Sequence, residues 1–389
     1  MNWIFLGILL TVGGGTAQSI SCRNEHGQAV DWYILYKQPQ IISGNGMKYL
    51  YTDETTNGWV PGKYIIGDKQ SAVAQTLKPL FDNNDTVLFC FAFCGSEQTD
   101  TFGYILYNDQ PPVPYRTASS SYGHSKGVVL LDKHTGIWLS HSFPNFPGVD
   151  IESFWPNRGT LNGQTFICGT YNYSAFRDIA IQLEYIHVYS FNSHIPNSFF
   201  NDLKFVASKG DHSKKAPFHR QLNMTTRSGH KFVSYAKCGR LQDGMYDSLA
   251  LLFKMTLIMY CDYKRHFFWQ ICSLLVLDEH MGGDFYVKSW GKLRELLESN
   301  CVVLNKVYNV KEVKLPTTMP FNVNSDHSKW SVTVNSSRPW TCIADMNREV
   351  SQESRGGGAV CTDNPAVWSA FSRIVITHEP CPNVTVNEM

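Results

Sequence analysis

The tripeptide His-Ser-Lys occurs at residues 124–126 and again at residues 327–329, 203 positions later (327 − 124), and an apolar run follows each copy. In an extended strand, side chains two positions apart face the same side. Each copy therefore places an imidazole and an ammonium on one face, about 7 Å apart at a rise of ~3.3 Å per residue. A fold that uses both copies at one cleft has to bring strands from the two halves of the chain together.

The two copies together would supply four groups suited to the chemistry of phosphate esters. An imidazole can attack phosphorus or transfer a proton, so His124 and His327 are candidate catalytic residues. A lysine ammonium neutralises phosphate oxygens, which makes Lys126 and Lys329 candidate phosphate clamps. No His/Asp cluster in the sequence has the spacing of a metal site. The pattern predicts a phosphodiesterase that works without a metal.

A third copy, His212-Ser213-Lys214, lies in a polar segment that no apolar run follows. We interpret it as a solvated basic loop, which could contact a nucleic-acid backbone. Its presence shows how readily this tripeptide arises without a catalytic role.

The N-terminus and the cysteines indicate the secretory route. Residues 4–12 are apolar and lead into the small-residue run Gly13–Ala17, which predicts a signal peptide over residues 1–17. Eleven cysteines suit an oxidising compartment, and their odd number leaves at least one without an intramolecular partner. Five Asn-x-Ser/Thr sequons predict glycosylation at Asn84, Asn172, Asn223, Asn335 and Asn383.

The overall charge excludes a polybasic nucleic-acid binder. The formal net charge is +1, so any affinity for a polyanion has to come from a local basic cluster. The 13 histidines gain charge around pH 6.5, and the protein therefore becomes clearly cationic on acidification.

Apolar patterning predicts an α/β fold in two halves, with a boundary near residues 206–220, where the chain is polar and basic. We predict helices at 71–81 and 366–373, the second of them started by Asp363-Asn364 and a proline in the first turn. The predicted strands are 30–36, 86–93, 127–131 with its hairpin partner 136–141, 165–168, 181–189 and 331–334.

Two apolar runs in the second half, 249–261 and 267–277, flank a short polar segment. Neither reaches the ~18 apolar residues expected of a transmembrane helix. They form either a buried helical hairpin or a foreign insertion, which would span residues 249–278.

Polar residues follow the second motif after a strand and a turn. Asp345 or Asn347 could hold the second nitrogen of an imidazole or bind a phosphate oxygen, and the alternative is an ordinary turn. The segment Arg355–Gly358 could present backbone amides to an anion, or it could be a flexible loop.

These motifs resemble the deoxyribonuclease II family over nearly the whole chain. The resemblance rests on His124–Asp132, Gly163–Thr165, Asp326–Trp330, Pro339–Cys342, Asp345–Arg348 and Arg355–Gly358. That family in turn resembles the phospholipase D superfamily, whose members bring two His-x-Lys motifs to one cleft. The implied fold is mixed α/β, with two phospholipase D-like halves, 18–205 and 206–389, related by a pseudo-twofold axis.

The resemblance also implies an activity and a catalytic pair. It implies an acid endonuclease that hydrolyses DNA to 3′-phosphate ends without metal or cofactor, in the lysosome or after secretion. One histidine would form a phosphohistidine and the other would protonate the 5′-oxygen, and we favour His124 as the nucleophile and His327 as the acid. The lysines of both motifs and Asn347 would bind the phosphate.

Supporting residues and disulfides follow from the same resemblance. Asp345 would support the site. Asp132 would stand for the aspartate of the superfamily pattern, although its spacing from Lys126 is longer here. The implied disulfides are Cys22–Cys168, Cys301–Cys381 and Cys342–Cys361, which leaves Cys90, Cys94, Cys238, Cys261 and Cys272 unassigned.

Two alternative functions remain open from the sequence. A phosphodiesterase of the same superfamily would act on a lipid headgroup instead of DNA. A secreted, catalytically inert nucleic-acid-binding protein would bind DNA and leave it uncut. The sequence also leaves open the base preference, the choice between monomer and homodimer, and which histidine attacks.

Overall fold

Two large β-sheets dominate the computed structural model, which describes residues 19–93, 101–148, 150–156, 159–211, 216–241, 283–301 and 305–381, with only the backbone at 83–93. The predicted signal peptide, the third tripeptide copy and the predicted insertion at 249–278 lie outside these residues. In the part that is described, no helix is long and apolar enough to cross a bilayer.

The first sheet has eight strands in the spatial order β10-β6-β7-β8-β9-β3-β4-β5, all paired antiparallel. A short ribbon of β1 (Cys22–Arg23) and β2 (Ala29–Val30) precedes it. The sheet strands are β3 (Trp32–Lys37), β4 (Tyr49–Asp53), β5 (Val60–Pro61), β6 (Gly103–Asn108), β7 (Lys126–Leu131), β8 (Thr135–His141), β9 (Gln164–Asn172) and β10 (Ser190–His194).

The second sheet has the order β11-β12-β18-β17-β16-β13-β14-β15, with β19 also paired to β14. Its pairs are antiparallel except β13 with β14. The strands are β11 (His219–Thr225), β12 (Lys231–Lys237), β13 (Phe285–Lys288), β14 (Val307–Val313), β15 (Phe321–Asn322), β16 (Trp330–Thr333), β17 (Thr341–Ala344), β18 (Gly357–Thr362) and β19 (Val375–His378).

Helices cover the sheets. They are α1 (Gln40–Ser43), α2 (Ala72–Phe93), α3 (Ala175–Ile186), α4 (Asn201–Ala207), α5 (Val350–Glu353) and α6 (Pro365–Ser372). The predicted start of α6 is confirmed, because the Asn364 side chain accepts hydrogen bonds from the amides of Ala366 and Val367.

The predicted strands 30–36, 127–131, 136–141, 165–168 and 331–334 are confirmed, with shifts of one to four residues at some ends. Two others are wrong: residues 86–93 continue helix α2, and 181–186 belong to helix α3. Both were short apolar runs, and a run of that length does not distinguish a buried strand from a buried helix.

Both faces of the first sheet are buried. Alternate residues of β3 point to opposite faces, so Trp32, Ile34 and Tyr36 enter one core cluster while Tyr33 and Leu35 enter another. The first cluster also contains Trp330 and Phe371, whose rings lie 5.2 Å apart, and it therefore joins the two sheets. Helix α3 packs in the same layer, where its Gln182 donates a hydrogen bond to Ser234 of β12 at 3.1 Å.

All strands of the first sheet precede residue 195, and all strands of the second follow residue 218. The predicted boundary after residue 205 falls inside helix α4. The structure thus shows a mixed α/β fold with two main sheets, and the division into two related halves stays a prediction.

Three disulfides form among the cysteines that the structure describes, and they are the pairs that the family resemblance implies. They are Cys22–Cys168, Cys301–Cys381 and Cys342–Cys361. Cys238 is a buried free thiol, whereas the side chains of Cys90, Cys94, Cys261 and Cys272 lie outside the described residues. The described sequon asparagines, Asn172, Asn223 and Asn335, are all exposed, and glycosylation stays a prediction.

Candidate active site

The first motif stands at the entrance to β7 and is held by residues of the second sheet. The backbone N–H of His124 donates to the carbonyl of Gly356 at 2.9 Å, and its Nδ1 lies 2.8 Å from the carbonyl of Asp345. Because a carbonyl only accepts, Nδ1 carries the hydrogen and the neutral ring presents its lone pair at Nε2. Burial, followed by the charge of Lys126, lowers the pKa of His124 well below its usual value.

The second motif lies just before β16, and a residue in a loop of the first sheet holds it through a hydrogen bond. The backbone N–H of His327 donates to the carbonyl of Gly163 at 2.9 Å. Its Nε2 is buried and has no hydrogen-bond partner among the described residues. The Trp290 ring lies edge to face on the imidazole, with centroids 4.4 Å apart. Burial, followed by the charges of Lys329 and Lys288, lowers the pKa of His327 to about 3.

Two hydrogen bonds, one to Ala344 and one to Asp345, connect the motifs. The carbonyl of Lys329 accepts from the amide of Ala344 at 2.9 Å, and the next residue, Asp345, holds the ring of His124. The electrostatics agree, because Lys329 lowers the pKa of His124 and Lys126 lowers the pKa of His327. The structure therefore brings both motifs, 203 residues apart in sequence, to one site.

Lys126 is buried in an ion pair that the sequence did not predict. Its ammonium contacts one carboxylate oxygen of Asp109, and Nη2 of Arg355 lies 3.0 Å from the other. Burial alone would raise the pKa of Asp109, but the charges of Lys126, His124 and Arg355 lower it well below its ordinary value. Asp109 therefore stays ionised and partly neutralises the cations at the first motif.

Lys329 is buried without a carboxylate partner among the described residues. Its ammonium donates to the carbonyl of His327 at 2.7 Å. Burial, followed by the charges of Lys126 and Lys288, lowers the pKa of Lys329 to about 7. The ammonium is therefore fully charged only below neutral pH.

A second buried ion pair supports the second motif from behind. The side chains of Lys288 and Asp326 are fully buried, with Nζ and Oδ2 3.3 Å apart. Lys288 also donates to the carbonyls of Asp326 and Ser328, at 2.8 and 3.2 Å, on either side of His327. The Asp326 carboxylate accepts from the hydroxyl of Tyr36 and from the amide of Ser328. Burial alone would raise the pKa of Asp326, but Lys288 outweighs it and the pKa is lowered.

Asp345 and Asn347 lie at the site. The Asp345 carboxyl accepts from the amide of Gly358 at 3.1 Å, and burial raises its pKa to about 7. Its backbone carbonyl, not its carboxylate, holds the imidazole of His124. The side-chain oxygen of Asn347 accepts from the amide of Trp290 at 3.2 Å, which leaves the amide nitrogen to donate to a ligand.

Asp132 is not brought to the site. It follows the last residue of β7, so it lies about 20 Å from Lys126 at ~3.3 Å per residue. Its carboxylate accepts from the amides of His134 and Thr135 and closes the β7–β8 turn. The segment Arg355–Gly358 is also not a free anion nest, because Gly357 begins β18 and the Gly358 amide bonds Asp345.

His141 is a further site residue that the sequence did not predict. It ends β8 beside Lys126, and its buried Nδ1 accepts from the amide of Phe143 at 3.1 Å. Its Nε2 has no partner among the described residues. Burial, followed by the charge of Lys126, lowers the pKa of His141 well below its usual value. No cluster of His, Cys, Asp and Glu suited to a metal ion occurs in the described ranges.

Comparisons with known proteins cover almost the whole chain. The family model described as deoxyribonuclease II matches residues 21–381. Deoxyribonuclease-2-alpha of Sus scrofa is 33% identical, covering 97% of this chain and 94% of the relative. Plancitoxin-1 of Acanthaster planci is 31% identical, with 98% of each covered. Deoxyribonuclease-2-beta of Homo sapiens is 31% identical, with 97% of this chain and 95% of the relative covered.

Proposed function

This chain belongs to the deoxyribonuclease II family of hydrolases, and from that premise we propose that it is an acid endonuclease that cleaves DNA to 3′-phosphate ends through a phosphohistidine. The observation that carries the proposal is the hydrogen bond from Nδ1 of His124 to the carbonyl of Asp345, in a site that also contains the second motif. This bond leaves Nε2 of a neutral imidazole available as a nucleophile, and the lowered pKa keeps the ring neutral in acid.

In the first step, Nε2 of His124 attacks phosphorus and the bond to the 5′-oxygen breaks. The protonated ring of His327 gives its proton to that oxygen as it leaves. Nδ1 of His124 keeps its hydrogen, and the carbonyl of Asp345 stabilises the positive charge of the phosphorylated ring. In the second step, the neutral His327 takes a proton from water, which attacks phosphorus, breaks the N–P bond and releases the 3′-phosphate.

Binding of the substrate prepares this chemistry. The negative phosphate offsets the charges that lower the pKa of His327, so the pKa of this ring rises when DNA binds and the ring can carry the proton. The phosphate oxygens are bound by Lys126, Lys329 and the side-chain amide of Asn347. These groups supply a nucleophile, an acid and cationic clamps from side chains alone, and we propose that neither metal nor cofactor is needed.

The same groups account for acid preference. The ammonium of Lys329 has a pKa of about 7, so it loses its charge as the pH rises through neutrality. The protonated form of His327 is also lost as the pH rises. Both effects weaken phosphate binding and leaving-group protonation as the pH rises, so the proposed activity is greatest in an acidic lysosomal compartment, where we place the enzyme. The three disulfides suit the secretory route that leads there.

We also propose that residues 18–205 and 206–389 form two phospholipase D-like halves. The strand order β6-β7-β8-β9-β3-β4 in the first sheet matches β13-β16-β17-β18-β12-β11 in the second, with every pair antiparallel. The motif strands β7 and β16 take the same place in this order. The contacts are also reciprocal, because each motif histidine donates its backbone N–H to the glycine before β18 or β9. These features support a pseudo-twofold axis through the site.

The test is cleavage of supercoiled plasmid near pH 5 in excess EDTA. We expect activity for the wild type and for His134→Ala, an exposed control at the far end of β7, and almost none for His124→Ala or His327→Ala. Parallel assays on phospholipid vesicles and by DNA gel shift separate the alternatives. Loss of wild-type activity in EDTA, cleavage of lipid but not DNA, or DNA binding without cleavage would each overturn the proposal.

A further inference from the structure

Trp290 joins three parts of the active site that are distant in sequence. It follows β13 by two residues, and its half-buried ring lies on the imidazole of His327 at 4.4 Å and 65°. Its backbone amide donates to the side chain of Asn347 at 3.2 Å, and its Nε1 donates to the carbonyl of Asn324 at 3.4 Å. The indole is therefore anchored at both ends beside the second motif.

Several hydrogen bonds hold the backbone around His327, but none to a described residue fixes its ring. Lys288 donates to the carbonyls of the residues on both sides, and the His327 amide donates to Gly163. Within the described residues the ring nitrogen Nε2 is buried and unpartnered, whereas the ring of His124 is fixed through Nδ1. The orientation of the His327 imidazole about its own side-chain bonds therefore depends on packing, and Trp290 supplies its one aromatic ring contact in the described part of the chain.

We propose that Trp290 is a positioning residue that holds the His327 imidazole in the orientation from which it protonates the leaving 5′-oxygen. The inference rests on the proposed function, because it takes His327 as the acid. Its chemical consequence is specific. A rotated imidazole still leaves the nucleophile and the phosphate clamps intact. Formation of the phosphohistidine is therefore slowed only where the leaving group needs a proton, whereas its hydrolysis, in which His327 is the base, is slowed for every substrate.

Two other roles for the indole predict different kinetics. Stacking on a DNA base next to the scissile phosphate would contribute to binding, and its loss would raise KM. Simple packing of the loop after β13 would contribute to stability, and its loss would reduce every activity alike. A positioning role predicts a lower kcat, an unchanged KM and a dependence on the leaving group.

The experiment compares duplex DNA with thymidine 3′-(p-nitrophenyl phosphate), whose p-nitrophenolate leaves without a proton. For Trp290→Ala we expect kcat on DNA to fall about 10- to 100-fold, part of the ~10²- to 10⁴-fold that general acid catalysis contributes. We expect KM to change by less than about threefold, and the rate of nitrophenolate release in the first turnover of the ester to stay within about threefold of wild type. Trp290→Phe keeps an aromatic edge on His327 and should restore most of the rate on DNA.

Two reference variants make the outcomes separable. In the first turnover, His327→Ala should show the same dependence on the leaving group, and if it slows both substrates equally there, the assignment of His327 as the acid fails. Trp368→Ala, a half-buried indole of α6 that bonds Thr333 at 2.8 Å, reports on loss of stability alone. If His327→Ala discriminates the substrates but Trp290→Ala raises KM, or slows the first turnover of both substrates equally, the positioning role is refuted while the proposed function stands.

Discussion

The His-Ser-Lys copies at 124–126 and 327–329 are identical in sequence and share a backbone hydrogen bond to a glycine, yet the contacts of their side chains differ. At the first copy the imidazole has a hydrogen bond to a carbonyl and the lysine pairs with the carboxylate of Asp109. Among the described residues, the imidazole of the second copy has no hydrogen bond and has one aromatic ring contact, to Trp290, and the ammonium of Lys329 donates to a carbonyl. The tripeptide therefore supplies the same groups twice, whereas the neighbouring strands give each group different contacts.

The largest expected difference between the copies is in covalent chemistry. His124→Ala should reduce turnover of both DNA and thymidine 3′-(p-nitrophenyl phosphate) by about 10⁴-fold, because the nucleophile is lost. Rapid acid-free quenching followed by peptide mass spectrometry should find a nucleotidyl adduct on the wild-type peptide that contains His124. An adduct on the peptide that contains His327 would reverse the two roles.

Replacing Lys126 and replacing Lys329 should affect stability and activity to different degrees. Lys126→Met leaves Asp109 buried with only Arg355, and breaking a buried ion pair costs about 3–5 kcal/mol. Lys329→Met breaks no ion pair with a residue that the structure describes, so we expect a smaller change in the free energy of unfolding and a drop in kcat/KM of about 10²- to 10³-fold. Urea denaturation and plasmid cleavage near pH 5 measure the two effects. Equal destabilisation by both substitutions would contradict the asymmetry.

The pH dependence should respond to the second lysine. Because its pKa is lowered to about 7, the ammonium of Lys329 is charged in acid and neutral above pH 7. An arginine stays charged throughout this range, so Lys329→Arg should move the basic limb of the kcat/KM profile to higher pH, at a lower maximal rate because the guanidinium is larger. A limb that stays in place would show that the charge of Lys329 does not set it.

The smallest effect is expected far from both copies, at Asp132. Asp132→Ala removes two hydrogen bonds of the β7–β8 turn and should lower the free energy of unfolding by about 1–3 kcal/mol. We expect kcat/KM on plasmid near pH 5 to stay within about twofold of wild type, because the residue lies at the opposite end of the strand. A loss of activity without a loss of stability would place Asp132 in the mechanism.

Local sequence patterns correctly predicted those elements in which every residue favours the same secondary structure. The continuous apolar runs of β3 and β7 and the Asn-Pro start of α6 belong to this group. The segments 86–93 and 181–186 were predicted incorrectly because a short apolar run gives the same sequence signal in a strand and in a helix. Which conformation such a run adopts depends on tertiary packing, which no local window contains.

The residues of the candidate site also fall into those that the sequence predicted and those that it did not. The four motif residues were predicted because the tripeptide repeats before apolar runs. Asp109 and Lys288 were not, because their position depends on strand order: β6 lies next to β7, and β13 lies next to β16. Asp109 precedes its motif by 15 residues and Lys288 precedes its motif by 39, so no common spacing marks them in the sequence.

The reciprocal bonds from His124 to Gly356 and from His327 to Gly163 have a consequence for biosynthesis. A nascent chain that has folded only its first sheet has neither the carbonyl that selects the tautomer of His124 nor the second motif. On the proposed mechanism, we therefore expect a nascent chain to cleave no DNA until nearly all of its length has been translated, and we expect proteolytic fragments that carry a single sheet to be inactive.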